Sequence, residues 1–592
     1  MTRPLFVHDT GWRPPIEPPN LEGVMALAID CETHDPELET MGPGFIRGAA
    51  TTVGVALATE DAQWYFPLDH AIENCAWKVE DWLKEVLAYD RSYIFANAQY
   101  DVEALWSLGI NLSGYWSDIL VDQALIDEEF APGYSLEAVA QRWLGAGKAS
   151  DILLKNACHY GAQNLEDAMK MMKYLPASEV GKYAEIDVRR TYDVSVAQEI
   201  YLQENNLTEI IDLERSVLPL AWQMRRNGVR FNREHAVKLN AEWYQDEEET
   251  LKKIVKSGFK VDPWSSKSIG AYCDRNNIIY MRTAKGNPSF SKDFFELSIH
   301  KDPVMKLIGH YRLINKMRRD FIGSWLKFSE HDERIHSRWH QVATEDGGTR
   351  SGRFACTDPN LQQVPGRHPI YGPLLRSLFL PEEGQQFLKG DYSGQEIRIA
   401  IHYAYKLGCT GAAEIVQRYH DDKSFDFHGM IAEMAHIKRD DAKTLALGSL
   451  YGMQAKKAQA SVGLSEREAR EAYNNYFAAA PYFRELAEIA MAQAAKRGWV
   501  KTFRGRHRHF KDPMDFHKAL NSVVQGTAAD MVKQAMVNIW NELQLVPLIT
   551  AHDELCYSVP DEDMAMHVQT LMEDALKLTV PMLIDVKLGA NW

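Results

Sequence analysis

Two aspartates, Asp391 in FLKGDYSGQEIRIA and Asp553 in LITAHDELCYSV, stand where strand-like patterns give way to a turn. Carboxylates brought together from distant strands can hold two magnesium ions, roughly 4 Å apart, that clamp the attacking and leaving oxygens of an in-line phosphoryl transfer. Between them, RDDAKTLALGSLYG places Arg439, Lys443, Leu447 and Tyr451 at every fourth position, a slowly drifting stripe along one helix. Cations at the start of that stripe can reach the β- and γ-phosphates of a triphosphate, and residues further along can face a base and sugar. Gly448 inside the helix costs about 1 kcal/mol relative to Ala, which points to a close approach to the backbone. Asp440 or Asp441 is expected to cap this helix and Gly452 to stop it.

A second acidic set lies near the start of the chain. Asp30 and Glu32 flank Cys31 at the end of an apolar run, and the period of two puts both carboxylates on one face of a strand. Asp101 follows another strand pattern in NAQYD, and Tyr183 and Asp187 in YAEID are helical neighbours at i and i+4. Four carboxylates from three segments suit two hard cations that activate water and steady a leaving oxygen, with Tyr183 orienting the water.

The elements that must position these residues alternate strand and helix. VMALAID (24–30), TTVGVALA, QWYFPL and SYIFAN read as strands and VEDWLKEVLA as a helix, with a second helix expected from Tyr100 or Asp101. From about 133 the pattern is helical. A long charged helix, HAVKLNAEWYQDEEETLKKIV, precedes VMKLIGHYRLINKMRRDFIGSWL, where Lys316, Arg318 and Arg319 form a solvated face or a clamp on a duplex backbone. HSRWHQVAT and QQFLKGD then return to strand, a helical insertion spans about 402–500, and VPLITAHDELCYSV is a hairpin. A sheet interrupted by a helical region would bring Asp391 and Asp553 together.

The chain has 592 residues, enough for three or four domains, and a net charge of −16 from 66 basic and 82 acidic residues. That balance argues against a protein that coats nucleic acid non-specifically, while leaving room for a local basic groove. No apolar run approaches the roughly 18 residues of a membrane span, and the Pro- and charge-broken start resembles neither a secretory signal nor a transit peptide, so a cytoplasmic location is expected. Seven scattered cysteines without a Cys-x-x-Cys pair predict neither disulfides nor a zinc site.

The set Asp30, Glu32, Asp101, Tyr183 and Asp187 resembles the DEDDy exonucleases of ribonuclease H-like fold, over roughly residues 20–200, which implies 3′-to-5′ removal of nucleotides from a single-stranded end. The whole chain resembles the family A DNA polymerases, the class of bacterial DNA polymerase I and related phage replicases. The resemblance implies an α/β multidomain fold: a ribonuclease H-like exonuclease domain (1–205), then a right-hand polymerase with thumb (206–330), first palm part (331–401), fingers (402–510) and second palm part (511–592). It implies two magnesium ions at each site, with manganese able to substitute.

Carried over by motif, Asp391 and Asp553 would be metal ligands, and His428, Arg439 and Lys443 would hold the incoming triphosphate, Lys443 also protonating the departing pyrophosphate. Glu396 and Tyr451 would form the wall that excludes a ribose 2′-hydroxyl. TRSGRFACTDPNLQQVP would contact primer and template through Arg353, Asn360, Gln362 and Arg367, and Asn521, Gln525 and His552 would also touch DNA. Leu447 departs from the family's Phe or Tyr and is expected to alter nucleotide selection.

The short start, the fifteen positions between His428 and Lys443, and the lack of room for a thioredoxin-recruiting insertion resemble a compact phage replicase. The expected partners are primer-template DNA and deoxynucleoside triphosphates, alongside a helicase, a primase and single-strand-binding proteins, with the enzyme a monomer in the bacterial cytoplasm. Two other readings are a 3′-to-5′ exonuclease carrying a non-catalytic polymerase-like region and a non-catalytic DNA-binding factor. The intact carboxylate sets argue against both.

Overall fold

The computed structural model describes residues 10–592 apart from 147–148, 258, 260–261, 284, 292–293, 296–301, 346, 367 and 451–465. The chain forms two compact units. One comprises Met1–Asn227, Ser337–Gln362 and Leu388–Leu588, the other Gly228–His336, Gln363–Phe387 and Gly589–Trp592.

The first unit begins with a five-stranded mixed sheet. Its strands are β1 (Ala26–His34), β2 (Thr51–Ala58), β3 (Gln63–Pro67), β4 (Arg91–Phe95) and β5 (Gly114–Asp118), in the order β3-β2-β1-β4-β5. β2 pairs antiparallel with β1 and β3, while β4 runs parallel to β1 and β5. Alternation along β1 sends Leu27, Ile29 and Cys31 into a core with Phe95, Val102 and Trp116. The opposite face carries Ala28, Ala56 and Ala58, and the long helix Ala177–Glu204 packs there through Val180, Ala184 and Val188. Alanines let the helix approach closely, which brings Tyr183 and Asp187 over Asp30 and Glu32.

β1 does not end at Asp30 as its apolar pattern suggests. Antiparallel pairing with β2 carries it through Glu32 to His34, with a register irregularity between Glu32 and Thr33. The helix expected from Tyr100 or Asp101 starts at Ala98, after a left-handed Asn97 (φ 79°).

Further along the same unit, a four-stranded sheet runs Ile549–Ala551, Glu554–Val559, Gln386–Tyr392, Ile584–Gly589 in spatial order. Residues far apart in sequence therefore meet on neighbouring strands. The helix Ala519–Leu543 is tied to the helix Thr208–Asn227 by buried charge: Glu214 accepts from both Arg506 and Lys533, Arg506 also bonds Asp530 at 2.7 Å, and Gln341 Nε2 donates to Glu214 at 2.7 Å. Burial pulls Lys533 down to about 8.

In the second unit the helices Arg233–Lys256 and Pro303–Lys316 pack together, the latter continuing into a π-helical turn, Met317–Gly323. Arg318 donates to Glu247 at 2.7 Å and lies over the Tyr244 ring, so this member of the basic cluster is engaged internally.

Candidate active sites

The acidic set of the first sheet converges as expected. Asp101 is buried, its Oδ1 accepting from Cys31 N at 3.0 Å, which fixes the helix Ala98–Ser107 against β1 between Asp30 and Glu32. Glu32 is 5% exposed, and its Oε1 has no hydrogen-bond partner among the described residues. Tyr183 hydrogen-bonds Asp187, and Arg190 stands 3.7 Å from the same carboxylate. Burial, followed by repulsion from Asp30, pushes Asp187 up to about 7 and holds Glu32 and Asp101 well above the carboxylate range; burial raises Asp30 to about 6. Removal from water and like charge both favour the neutral carboxyl, so the set is electrostatically strained in its ionised form. Directly across from Glu32, Gly54 leaves room for Tyr65: a Cβ there would lie 2.2 Å from the phenol oxygen, which bonds His70 Nε2 at 2.6 Å.

The aspartate pair also meets. Asp391 is the penultimate residue of its strand, the backbone N of Tyr392 donates to Asp553 O at 3.3 Å, and the two carboxyl groups share a hydrogen bond. Asp553 sits in the tight turn after His552, which is exposed and left-handed (φ 61°). Burial, then the charge of Asp553, Glu554 and Asp585, pushes Asp391 up to about 7; burial raises Asp553 too. Among the described residues, no three His, Cys, Asp or Glu side chains already stand in metal-ligand geometry. Both acidic sets nevertheless offer hard oxygen donors whose mutual repulsion a divalent cation would relieve.

On the helical insertion, Arg439 clasps Asp426 through Nε (2.7 Å) and Nη2 (3.0 Å), beside His428 at the start of the helix Phe427–Ala435. His428 is pushed down to about 4, by burial and then by Lys443 and Arg439, and its Nδ1 has no partner among the described residues. The three basic side chains thus form one cluster.

Residues 233–592 match the family model for DNA polymerase family A. The chain belongs to DNA polymerase family A. It is 32% identical to a DNA-directed DNA polymerase of Pseudomonas phage M6 over 97% of this chain and 95% of that one. Identity is 27% to the DNA polymerase DpoZ of Acinetobacter phage SH-Ab 15497 (97% and 98% of the two chains) and 26% to DNA polymerase I of Pseudomonas aeruginosa, where 97% of this chain spans 64% of the longer relative. The fold matches the POL domain of Pol1 from M. smegmatis, solved in complex with DNA primer-template and dNTP, with a TM-score of 0.76 at 20% identity over 96% of this chain and 95% of that one.

In this family A chain, Arg353, Gln362, Gln525 and His552 line one cavity of about 330 Å³. Gln362 Nε2 donates to Phe354 O (3.1 Å) and Thr550 O (3.0 Å), pinning the Asp553 hairpin, while Asn360 Oδ1 accepts from Gln362 N at 3.0 Å. Arg353 forms an ion pair with Glu396 at 2.5 Å. Asn521 and Gln525 lie one turn apart on the helix Ala519–Leu543, and Asn521 Oδ1 is buried without a partner among the described residues.

Arg367, Tyr451 and Gly452 lie outside the described residues, as does the side chain of Leu447 within the helix Arg439–Leu450. Asp440 and Asp441 do not cap that helix. It begins at Arg439, so they occupy its first turn, where they favour the positive end of the helix dipole.

Asp118 is a positioning residue that sequence reasoning missed. Its buried carboxylate accepts from Leu120 N (2.8 Å) and Val121 N (3.4 Å), capping the helix Ile119–Ile126, and from Ala98 N (2.7 Å), holding the helix that carries Asp101. The cap is legible in SDILV; the bond to Ala98, twenty residues away, is not. Glu554 and Asp585 were also missed, although Glu554 stands next to Asp553 in sequence.

Proposed function

We propose that this protein is a template-directed DNA polymerase that extends a primer 3′ end with deoxynucleotides, and that its first sheet carries a 3′-to-5′ proofreading exonuclease. The observation that carries the reading is the Asp391–Asp553 carboxyl pair, contributed by one strand and by the turn that enters its neighbour, and pushed toward neutrality by burial and mutual charge. Two magnesium ions bound there would neutralise charge on the attacking and leaving oxygens.

The protein's own residues supply the rest. His428, Arg439 and Lys443 bind the triphosphate, and Lys443 gives a proton to the departing pyrophosphate as the primer 3′-hydroxyl attacks the α-phosphate. On nucleotide entry Arg439 exchanges its exposed Asp426 partner for phosphate oxygens. Glu396 blocks a 2′-hydroxyl and, through its ion pair, orients Arg353 toward the DNA, which Asn360, Gln362, Arg367, Asn521, Gln525 and His552 help to hold.

In the first sheet, Asp30, Glu32, Asp101 and Asp187 hold metal, Tyr183 orients water, and the unpartnered Glu32 Oε1 supports ligation there. The relatives named for phages suit a phage replication enzyme acting in a bacterial cytoplasm. No helix among the described residues is long and apolar enough to cross a membrane.

Primer extension on a primed single-stranded template tests the reading, with Asp391→Ala and Asp30→Ala/Glu32→Ala as separate variants. Asp391→Ala should abolish extension and leave excision of mismatched ends, and the double variant should do the reverse. Normal extension by Asp391→Ala would refute the polymerase assignment.

A further inference from the structure

The antiparallel hairpin Trp499–Lys501 and His507–His509 plays no part in the chemistry above. Its register, Trp499↔His509 and Lys501↔His507, places these four side chains on one face. The Trp499 and His507 rings stack at 4.0 Å and 20°, and the Arg497 guanidinium lies 5.4 Å from the Trp499 centroid. With Tyr201 and Asn205 at the end of the long helix of the first sheet, they line a cavity of about 330 Å³. Lys501 and His507 also line a second cavity of about 190 Å³ with Arg350, Lys518, Asn521 and Gln525. Lys501 and His507, shared by both cavities, link the helix Ala519–Leu543 to the Trp499–His507 stack, and the two cavities are taken together as one groove.

Lys518 is held by Asp515 at 2.6 Å and Arg350 by Glu129 at 3.1 Å, but the donors at the stack are uncommitted. Among the described residues Arg497 and Lys501 make no ion pair, and neither Trp499 Nε1 nor the Tyr201 hydroxyl makes a hydrogen bond, whereas Arg508 and His509 are already held by Glu128 at 2.7 and 2.9 Å. The lone carboxylate lining the stack cavity, Glu204, is exposed and points to no cation there. Aromatic rings interleaved with free cations bind single-stranded nucleic acid: phosphates follow the cations, and any base stacks on a ring only when unpaired.

We infer that this groove takes the unpaired template strand ahead of the polymerase site, bases stacking at Trp499 and His507 and phosphates on Arg497 and Lys501. The inference rests on the polymerase reading, because Asn521 and Gln525 supply the template end of the groove.

The test measures binding of the whole protein, in EDTA, to primer-templates of identical duplex carrying 5′ template overhangs of one and of about eight nucleotides. The wild type should bind the long overhang about tenfold or more tightly, a margin set by stacking. Trp499→Ala and Lys501→Glu should each shrink that ratio to about threefold or less, and the exposed Lys501→Glu keeps the test intact where Trp499→Ala folds poorly. A ratio preserved in Lys501→Glu, or no overhang effect in the wild type, overturns the inference. So does a defect confined to excision of unpaired primer 3′ ends, which would assign the groove to the other strand. Failure of the polymerase reading shows separately, as absent primer extension by the wild type.

Discussion

Asp118→Ala isolates the role of a single buried carboxylate. The side chain receives four backbone N–H groups, two from the helix it caps and two from Asn97 and Ala98 at the head of the helix bearing Asp101. Losing the cap costs about 1 kcal/mol, and stranding the buried Ala98 amide costs about 1–3 kcal/mol more. Part of this returns, because burial itself holds the Asp118 carboxyl above its ordinary range, a penalty that alanine relieves.

The net is about 2 kcal/mol, or ~30-fold in the local opening equilibrium. Asparagine offers no rescue on both sides, since its one acceptor oxygen serves either the cap or Ala98 and its amide then faces an N–H. Hydrogen exchange reads the effect directly: amides of Ala98–Ser107 should lose ~30-fold protection while Ala519–Leu543 keeps its own. Excision should fall at least tenfold as Asp101 loses its placement, with single-nucleotide extension unchanged. Full excision by Asp118→Ala in the face of lost protection would refute the claim that this carboxylate positions Asp101.

Other perturbations have equally definite outcomes. Asp30 and Asp187 titrate near 6 and 7 when folded, so the metal-free native state binds more protons than the unfolded chain between about pH 4 and 7; that stability is present below pH 4 and is lost as pH rises through 7. The melting midpoint in EDTA should therefore drop across this window, magnesium should restore it at pH 7.5, and Asp30→Asn/Glu32→Gln should melt higher than the wild type in EDTA; a pH-independent midpoint would count against the acid cluster. Gly54→Ala must displace Tyr65 beside Glu32, so excision should fall severalfold with extension intact, and unchanged excision would show Tyr65 to be a bystander. Glu214→Ala leaves Lys533 and Arg506 buried short of a countercharge and should destabilise the first unit by about 3–5 kcal/mol, read by urea unfolding. Glu396→Ala should raise ribonucleotide incorporation at least tenfold, and unaltered sugar discrimination would remove Glu396 from the wall.

What could be read from sequence followed from short-range rules. Period two put Asp30 and Glu32 together, i,i+4 spacing put Tyr183 beside Asp187, and the hairpin around His552 and Asp553 followed from two β-rich runs with a polar break. β1 overran its apolar stretch because pairing with β2 stabilises CETH as strand whatever its polarity. The helix at Arg439 began before its acids because Asp440 and Asp441 serve the first turn as well as a cap would. Contacts invisible to any local pattern were missed: Asp118 reaching Ala98, Glu214 reaching Lys533, and Gln362 reaching Thr550. Likewise 363–387 joins the second unit although its neighbours on both sides in sequence belong to the first.

The order of strands in the Asp391 sheet sets a timetable. Every strand and helix around Asp30, Glu32, Asp101 and Asp187 has been synthesised once residue 204 leaves the ribosome. The strand Gln386–Tyr392 must wait for both its neighbours, Glu554–Val559 and Ile584–Gly589. At about 5–20 residues per second the remaining chain takes roughly 20–80 s to emerge. During that interval the nascent chain carries a foldable acidic site and an unfinished aspartate pair, with two open strand edges exposed to mispairing. Fast translation between 392 and 549 would protect the chain best by shortening the time those edges stand unpaired, and a truncated product ending there would keep the first site and lack the second.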